Sequence, residues 1–230
     1  MTIWDDEDTQ PIQPSIQWDS ARPKFADVNR WVRLANAREY AAACDAKVIG
    51  IKVSEGERWS GTPEARAAVE LCISAGLIVI GYQYGPYHPE AFVQAFPPRR
   101  GCIPCLDFEF SQTNRDDGLM RQNAAERWVE TVADAWQALP WFYGRSEWQA
   151  IGSPAGTLVR HCPYWGPQYG QRLVVPKGVG RAVAWQYSDG VTGPAPRTHA
   201  GIERAAGGTK PCDMSVLLCT IDELRAMAKV

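Results

Sequence analysis

Cys105-Leu106-Asp107-Phe108-Glu109-Phe110 alternates acidic and apolar residues through its last five positions. Side chains two apart on a strand share a face, so Asp107 and Glu109 point one way while Leu106, Phe108 and Phe110 point the other. The apolar side packs on other elements. Two carboxylates facing an ordinary core would be very costly to bury. The acidic side therefore lines water or a substrate, or is a strand end held by an Arg or Lys, which is the commoner arrangement for an isolated Asp-x-Glu. The rest of the chain decides between the two.

Short β-like runs alternate with helical segments on both sides of this strand, the pattern of an α/β fold with a parallel sheet. Ser15–Asp19 reads as the first strand, Val28–Cys44 as a helix, and Lys47–Val53 as a second strand running into Ser54-Glu55-Gly56. Thr62-Pro63-Glu64 supplies an N-cap, a first-turn proline and an early acid, and Gly76 closes that helix. Leu77–Tyr84 and Ile103–Phe110 are the third and fourth strands. Across Asp116–Leu139 an apolar stripe of Ala125, Val129, Val132, Trp136 and Leu139 predicts the longest helix. Trp141–Tyr143, Tyr164–Trp165 and Ala182–Tyr187 read as further short strands. Thr220-Ile221-Asp222-Glu223 is a capping box opening a last helix. Gly190 to Pro211 reads as one long surface loop.

Seven or eight strands in one domain of this size predict a single TIM-like (β/α) barrel, irregular, with fewer or shorter helices than a full eightfold barrel. In such barrels reacting groups sit at the C-terminal ends of strands, where Asp107, Glu109 and Glu55 all fall. Residues 1–14 are polar and acidic and read as an extended arm, leaving 15–230 as the barrel domain.

A net charge of −2 argues against nucleic acid and against electrostatic capture by an anionic membrane. No apolar run reaches the roughly 20 residues that span a bilayer, so no membrane insertion is expected. The acidic N-terminus does not read as a signal peptide, which predicts synthesis in a cytoplasm. Seven cysteines cannot all pair, and Cys44, Cys72 and Cys219 sit in apolar or helical contexts as small hydrophobes. Cys102-Ile103-Pro104-Cys105 has no second pair at zinc-like spacing and does not open a helix, so neither metal nor redox chemistry is expected. His88, His161 and His199 are isolated and read as solvated loop residues. No cofactor is expected. Ten tryptophans point weakly to sugar-stacking surfaces as well as to core.

Six segments, in order, carry a resemblance. They are Ile49 to Gly56, Ala75 to Tyr84, Leu106 to Glu109, Tyr164-Trp165-Gly166-Pro167-Gln168-Tyr169, Trp185-Gln186-Tyr187-Ser188 and Cys212-Asp213-Met214-Ser215. Together they resemble glycoside hydrolase family 25, the Chalaropsis-type lysozymes of phage lysins and bacterial autolysins, from about Ile16 to Leu218. Two positions depart from the family. Its third-strand tyrosine–histidine pair is Tyr82-Gln83 here, and its first-strand Asp corresponds either to Asp19 or, in a strict register, to Gln17.

The resemblance implies hydrolysis of the β-1,4 bond between N-acetylmuramic acid and N-acetylglucosamine, with bacterial peptidoglycan as the partner. It assigns Glu109 as general acid and Asp107 as its partner, with Asp19 and Asp213 as neighbouring acids. A donor at neutral pH needs a raised pKa, which nearby anions provide. Glu55 reads equally as a sugar-binding acid or as a charge paired with Lys52, and Asp213 as a site acid or a turn cap. Tyr82, Tyr84, Tyr143, Trp165, Gln168, Trp185 and Gln186 are the candidate substrate-binding residues; core packing is at least as good a reading for each aromatic among them. Adjacent strand rise puts the Asp107 and Glu109 α-carbons about 6.6–6.8 Å apart, which leaves retention or inversion open. The expected setting is a phage endolysin released by a holin or a virion-associated lysozyme, its arm contacting other phage proteins. The competing expectation is a catalytically weak or silent barrel that binds the wall or serves structurally.

Overall fold

The computed structural model describes residues 15–55, 59–109, 118–145, 158–204 and 211–228. The arm expected over 1–14 and Phe110 of the alternating run lie outside them. In chain order the elements are β1 (Ile16–Gln17), β2 (Lys24–Val28), β3 (Val32–Leu34), α1 (Ala37–Ala43), β4 (Val48–Glu55), β5 (Trp59–Ser60) and α2 (Pro63–Ser74). They continue with β6 (Ile78–Tyr84), α3 (Pro89–Ala95), β7 (Cys102–Asp107), α4 (Gly118–Trp136), β8 (Trp141–Tyr143), a 3₁₀ turn (Leu158–His161) and β9 (Tyr164–Pro167). β10 (Arg172–Leu173), β11 (Ala182–Ser188), β12 (Ile202–Arg204), β13 (Asp213–Leu217) and α5 (Ile221–Met227) complete them.

Eight strands close into a ring in the order β2, β4, β6, β7, β8, β9, β11, β13 and back to β2. The junctions from β2 round to β11 are parallel, while β13 runs against both its neighbours. This is the irregular (β/α) barrel expected from the sequence. β4 and β11 are buried almost throughout, as strands covered on both faces must be. Phe25, Phe92, Phe96 and Phe108 are fully buried, each worth about 1.5–3 kcal/mol of removal from water. Trp128, Trp141 and Trp185 are buried as well, so these tryptophans build the barrel and its wrapping rather than a sugar platform.

The capped helices form as their sequences dictate. Thr62 accepts from the Ala65 N–H at the start of α2, and Thr220 and Glu223 cap α5 reciprocally. The N-terminal third differs from expectation. Ser15–Asp19 is not a barrel strand: β1 pairs only with β10, outside the ring, and Trp18 packs on Tyr187 at 4.3 Å. The first barrel strand is Lys24–Val28. The expected helix over Val28–Cys44 is broken because Asn29 Oδ1 accepts from the N–H groups of Trp31 and Val32, turning the chain into β3. The helix itself starts at the Asn36 cap. β3 pairs with β12, so the expected surface loop contains a strand.

All seven cysteines are free and buried. Cys102 and Cys105 sit three apart on one strand and so face opposite sides. Burial pushes the Cys102 thiol up to about 12, away from any reactive range. His199 is a correction. It stacks on the Tyr40 ring at 4.1 Å, half-buried, and burial lowers its pKa below the usual value. No helix among the described residues is long and apolar enough to cross a membrane.

Candidate active site

A cleft of about 680 Å³ opens at the barrel mouth, where the parallel strands end. Asp27, Asp107, Glu109 and Asp213 line it, together with Asn29, Lys52, Tyr82, Tyr84, Tyr143, Trp165, Tyr169 and Gln186. The positions follow from register. Asp107 is the last residue of β7 and pairs with Tyr84 on one side and Tyr143 on the other. Asp27 lies opposite Asp213 across the β2–β13 junction. Like charges placed directly opposite in a ladder oppose folding.

The backbone around Asp107 and Glu109 is pinned. Gly85 N–H donates to the Asp107 carbonyl and Phe108 N–H to the Tyr143 carbonyl, both at 2.8 Å. The Phe108 carbonyl lies against Gly144, where an added Cβ would come within 2.4 Å of its oxygen at a φ of +144°. β7 ends at Asp107, short of the expected end at Phe110, so Glu109 stands just beyond the strand. Asp107 is buried and Glu109 exposed to the cleft.

Asp27, on β2, the first barrel strand, lines the cleft. Asp19 does not: it is exposed, and its carboxylate caps a turn by accepting from Ala21 N–H at 2.8 Å. Gln17 is also outside the cleft, on β1. Gly50 makes room for Asp27, since a Cβ at position 50 would come within 2.6 Å of the Asp27 Cβ. Asp27 is buried, with 4% exposure. Burial, and after it the charge of Asp213, raises its pKa well above the usual carboxylate value; Gln186 pulls the other way and Glu109 adds to the rise. A relay holds it in place. Tyr143 OH donates to Gln186 Oε1 at 2.8 Å, and Gln186 Nε2 donates to Asp27 Oδ2 at 3.0 Å.

Both tyrosines feel the cluster. Burial raises the Tyr82 pKa well above its usual value, followed by Asp27, Asp107, Asp213 and Glu109. Burial also raises Tyr143, followed by Glu109 and Asp107. Tyr82 OH donates to the Val28 carbonyl at 3.1 Å, which ties β6 to the end of β2. Trp165 forms part of the floor, donating from Nε1 to Ser215 Oγ at 3.0 Å.

Several expected binding residues lie elsewhere. Trp185 points outward and donates to the Gln168 carbonyl at 2.6 Å, because Gln186 next to it takes the inward face. The Gln168 side chain accepts from Val174 N–H and does not line the cleft. Glu55 is ion-paired to Lys52 at 2.8 Å, the paired-charge alternative, and is not among the cleft residues. Gln83 also faces away from the cleft. It accepts from Ser54 Oγ at 2.7 Å and donates to the Gly85 and Tyr87 carbonyls.

Asp27, Asn29, Lys52 and Tyr169 complete the site without having been expected. Asp27 carries the same signal as Asp107, an acid alternating with an aromatic in Phe25-Ala26-Asp27. Tyr169 stands at the mouth, 43% exposed, on the loop after β9. Among the described residues no group of His, Cys, Asp and Glu has the arrangement to hold a metal ion.

The barrel is shared with solved lysozymes. The bacterial lysozyme from Streptomyces coelicolor superposes with a TM-score of 0.74 at 17% identity, over 91% of this chain and 98% of that one. A family GH25 lysozyme from Aspergillus fumigatus gives 0.66 at 16% identity, over 90% and 98%. The catalytic domain of endolysin ply40 from bacteriophage P40 of Listeria monocytogenes gives 0.62 at 16% identity, over 93% and 100%. The chain has the barrel fold of GH25 lysozymes. No family model matches it, and no curated protein matches its sequence.

Proposed function

We propose that the protein is a muramidase, hydrolysing the β-1,4 bond between N-acetylmuramic acid and N-acetylglucosamine in peptidoglycan. The observation that carries this reading is the convergence of Asp27, Asp107, Glu109 and Asp213 in one cleft at the strand ends of a lysozyme-type barrel.

Glycoside hydrolysis needs a proton donor to the leaving oxygen and a group that stabilises or intercepts positive charge at the anomeric carbon. Glu109, exposed to the cleft, is the general acid. Asp107, buried beside it, either orients the substrate 2-acetamido group for internal attack or directs a water. Asp27, its pKa raised by burial and by Asp213, holds its proton to higher pH than an ordinary carboxylate, which lessens the repulsion between the two facing acids. Gln186 and Tyr143 position Asp27 through the relay. Lys52 and Tyr84 form one wall, with the ammonium over the ring 4.5 Å from its centroid.

Two placements support an active barrel over a silent one: Asp27 on the first barrel strand lines the cleft, and Gln83 hydrogen-bonds along the β6 wall outside it. We further propose a phage setting, a lysin acting on the host wall after holin release or from the virion. One similar solved structure is a phage endolysin domain, which supports that setting.

The test is the release of soluble muropeptides from purified peptidoglycan, with reducing ends and anomers analysed, by wild type and Glu109→Gln. New N-acetylmuramic acid reducing ends from wild type, lost in the variant, are the expected result. A β anomer at first release reports retention through the acetamido group, and an α anomer reports a directed water. Wild type that releases nothing between pH 4 and 8 refutes the reading.

A further inference from the structure

Beside the acidic cleft lies a second groove, and the two share Asn29 and Lys52. It runs from the end of β2 across β4 to the start of α2. Its lining includes the apolar Val28, Ile51 and Leu34, with Arg30 and Arg33 on the turn and strand that follow β2. Both arginines are exposed, and the Arg30 guanidinium stacks over the exposed Trp31 ring at 4.7 Å. The acids facing them are Glu64 on the α2 wall and Glu203, opposite Arg33 across the β3–β12 ladder. Lys52 at the junction is already neutralised by Glu55. Four carboxylates line the cleft, and guanidiniums enter the depression only in the groove, where Glu64 and Glu203 offset part of their charge.

We propose that this groove takes the peptide stem of the substrate, with Arg30 and Arg33 binding its carboxylates. The inference rests on the muramidase reading, because a stem enters only where the muramic acid that bears it is bound. The chemistry of peptidoglycan fits the arrangement. Each stem is attached through the lactyl group of muramic acid and carries free carboxylates along a short backbone with small apolar side chains. A glycan in the cleft presents neutral rings to the carboxylates, and the stem presents anions that the cleft would repel and the groove attracts. Guanidinium forks match carboxylates through paired N–H donors, which a lysine in the same place would not do. The apolar floor suits alanine-sized side chains.

The experiment compares two polymers, both freed of phosphate-bearing wall polymers: peptidoglycan with intact stems, and the same glycan stripped of stems by an amidase. Wild type and an Arg30→Gln/Arg33→Gln double variant are assayed on each, with thermal midpoints measured to establish folding. The expected result is a kcat/KM on intact peptidoglycan about tenfold lower in the double variant, the size of two partly exposed charge-assisted contacts. Both proteins cleave stripped glycan at the same reduced rate, and added salt narrows the gap on intact substrate.

Equal wild-type rates on both polymers, or an equal loss in the variant on both, overturn the stem site and leave the muramidase standing. Walls that retain their phosphate polymers are assayed alongside, and a loss confined to them also overturns the stem site and assigns the arginines to those anions. Wild type that cleaves neither polymer removes the muramidase reading, and this one with it.

Discussion

The acids on the outside of the barrel and the acids at its mouth are treated in opposite ways. Outside, Glu70 meets the Arg99 guanidinium in a two-pronged pair, and the hydrogen bond from Arg99 lowers its pKa. Arg181 and the Thr220 cap hold Glu223 down at about 2. At the mouth, Asp27 is buried opposite another aspartate and its pKa rises. Stability pressure selects the first arrangement. The second opposes folding, and persists where the groups are needed for chemistry.

The two populations also pull stability in opposite directions with pH. For Glu70, with a lowered folded pKa, the unfolded chain binds more protons as pH falls through its range, so its contribution is present above the unfolded pKa and lost on acidification. For Asp27, with a raised folded pKa, the native state binds more protons between the unfolded value and the folded one. Stability therefore falls as pH rises through that window.

Substitutions at the two places separate these roles, and the largest effect belongs to the mouth. Glu109→Gln should lower kcat on peptidoglycan by about a thousandfold, the contribution of a positioned general acid. Its thermal midpoint should stay unchanged, because Glu109 is exposed. A comparable fall in both quantities would place Glu109 among the structural acids. Gln83→Ala, on the outer side of the same barrel wall, inverts the pattern. It removes three hydrogen bonds from a buried amide and should cost about 1–3 kcal/mol by chemical denaturation. Turnover of the folded fraction should fall far less than in the Glu109 variant. The smallest effect is expected outside. Glu70→Gln breaks an exposed pair and should shift stability by about 0.5 kcal/mol or less. Its midpoint should approach that of wild type only as pH falls through the lowered folded pKa of Glu70, below the ordinary glutamate value. A shift of several kcal/mol there would erase the distinction between the two acid populations.

Much of this was legible in the sequence, and the failures have physical causes. β8 over Trp141–Tyr143, α2 with its Thr62 cap and the Thr220 capping box lie where composition put them, since local chemistry decides them. The alternation in Leu106–Glu109 located the acidic face correctly even though the strand ends at Asp107. Asp27 was hidden because Val28, Trp31, Val32 and Ala35 recur at helical spacing and pull the reading away from a strand. One side chain, Asn29, overrides that periodicity by capping two N–H groups. The outward face of Trp185 depends on ring closure, which no local pattern encodes, whereas the local Lys52–Glu55 pair is one of the two readings the sequence left open.

On the proposed muramidase reading, the mouth carboxylates are held against a folding cost for the sake of hydrolysis. Asp27→Asn tests it most directly, with the unfolding free energy at pH 4 and pH 7 and turnover on peptidoglycan measured on the same preparation. The variant should be at least as stable as wild type at pH 7 and lose that advantage toward pH 4, with turnover reduced by about a hundredfold or more. A variant that is less stable at pH 7 yet cleaves at the wild-type rate would contradict it.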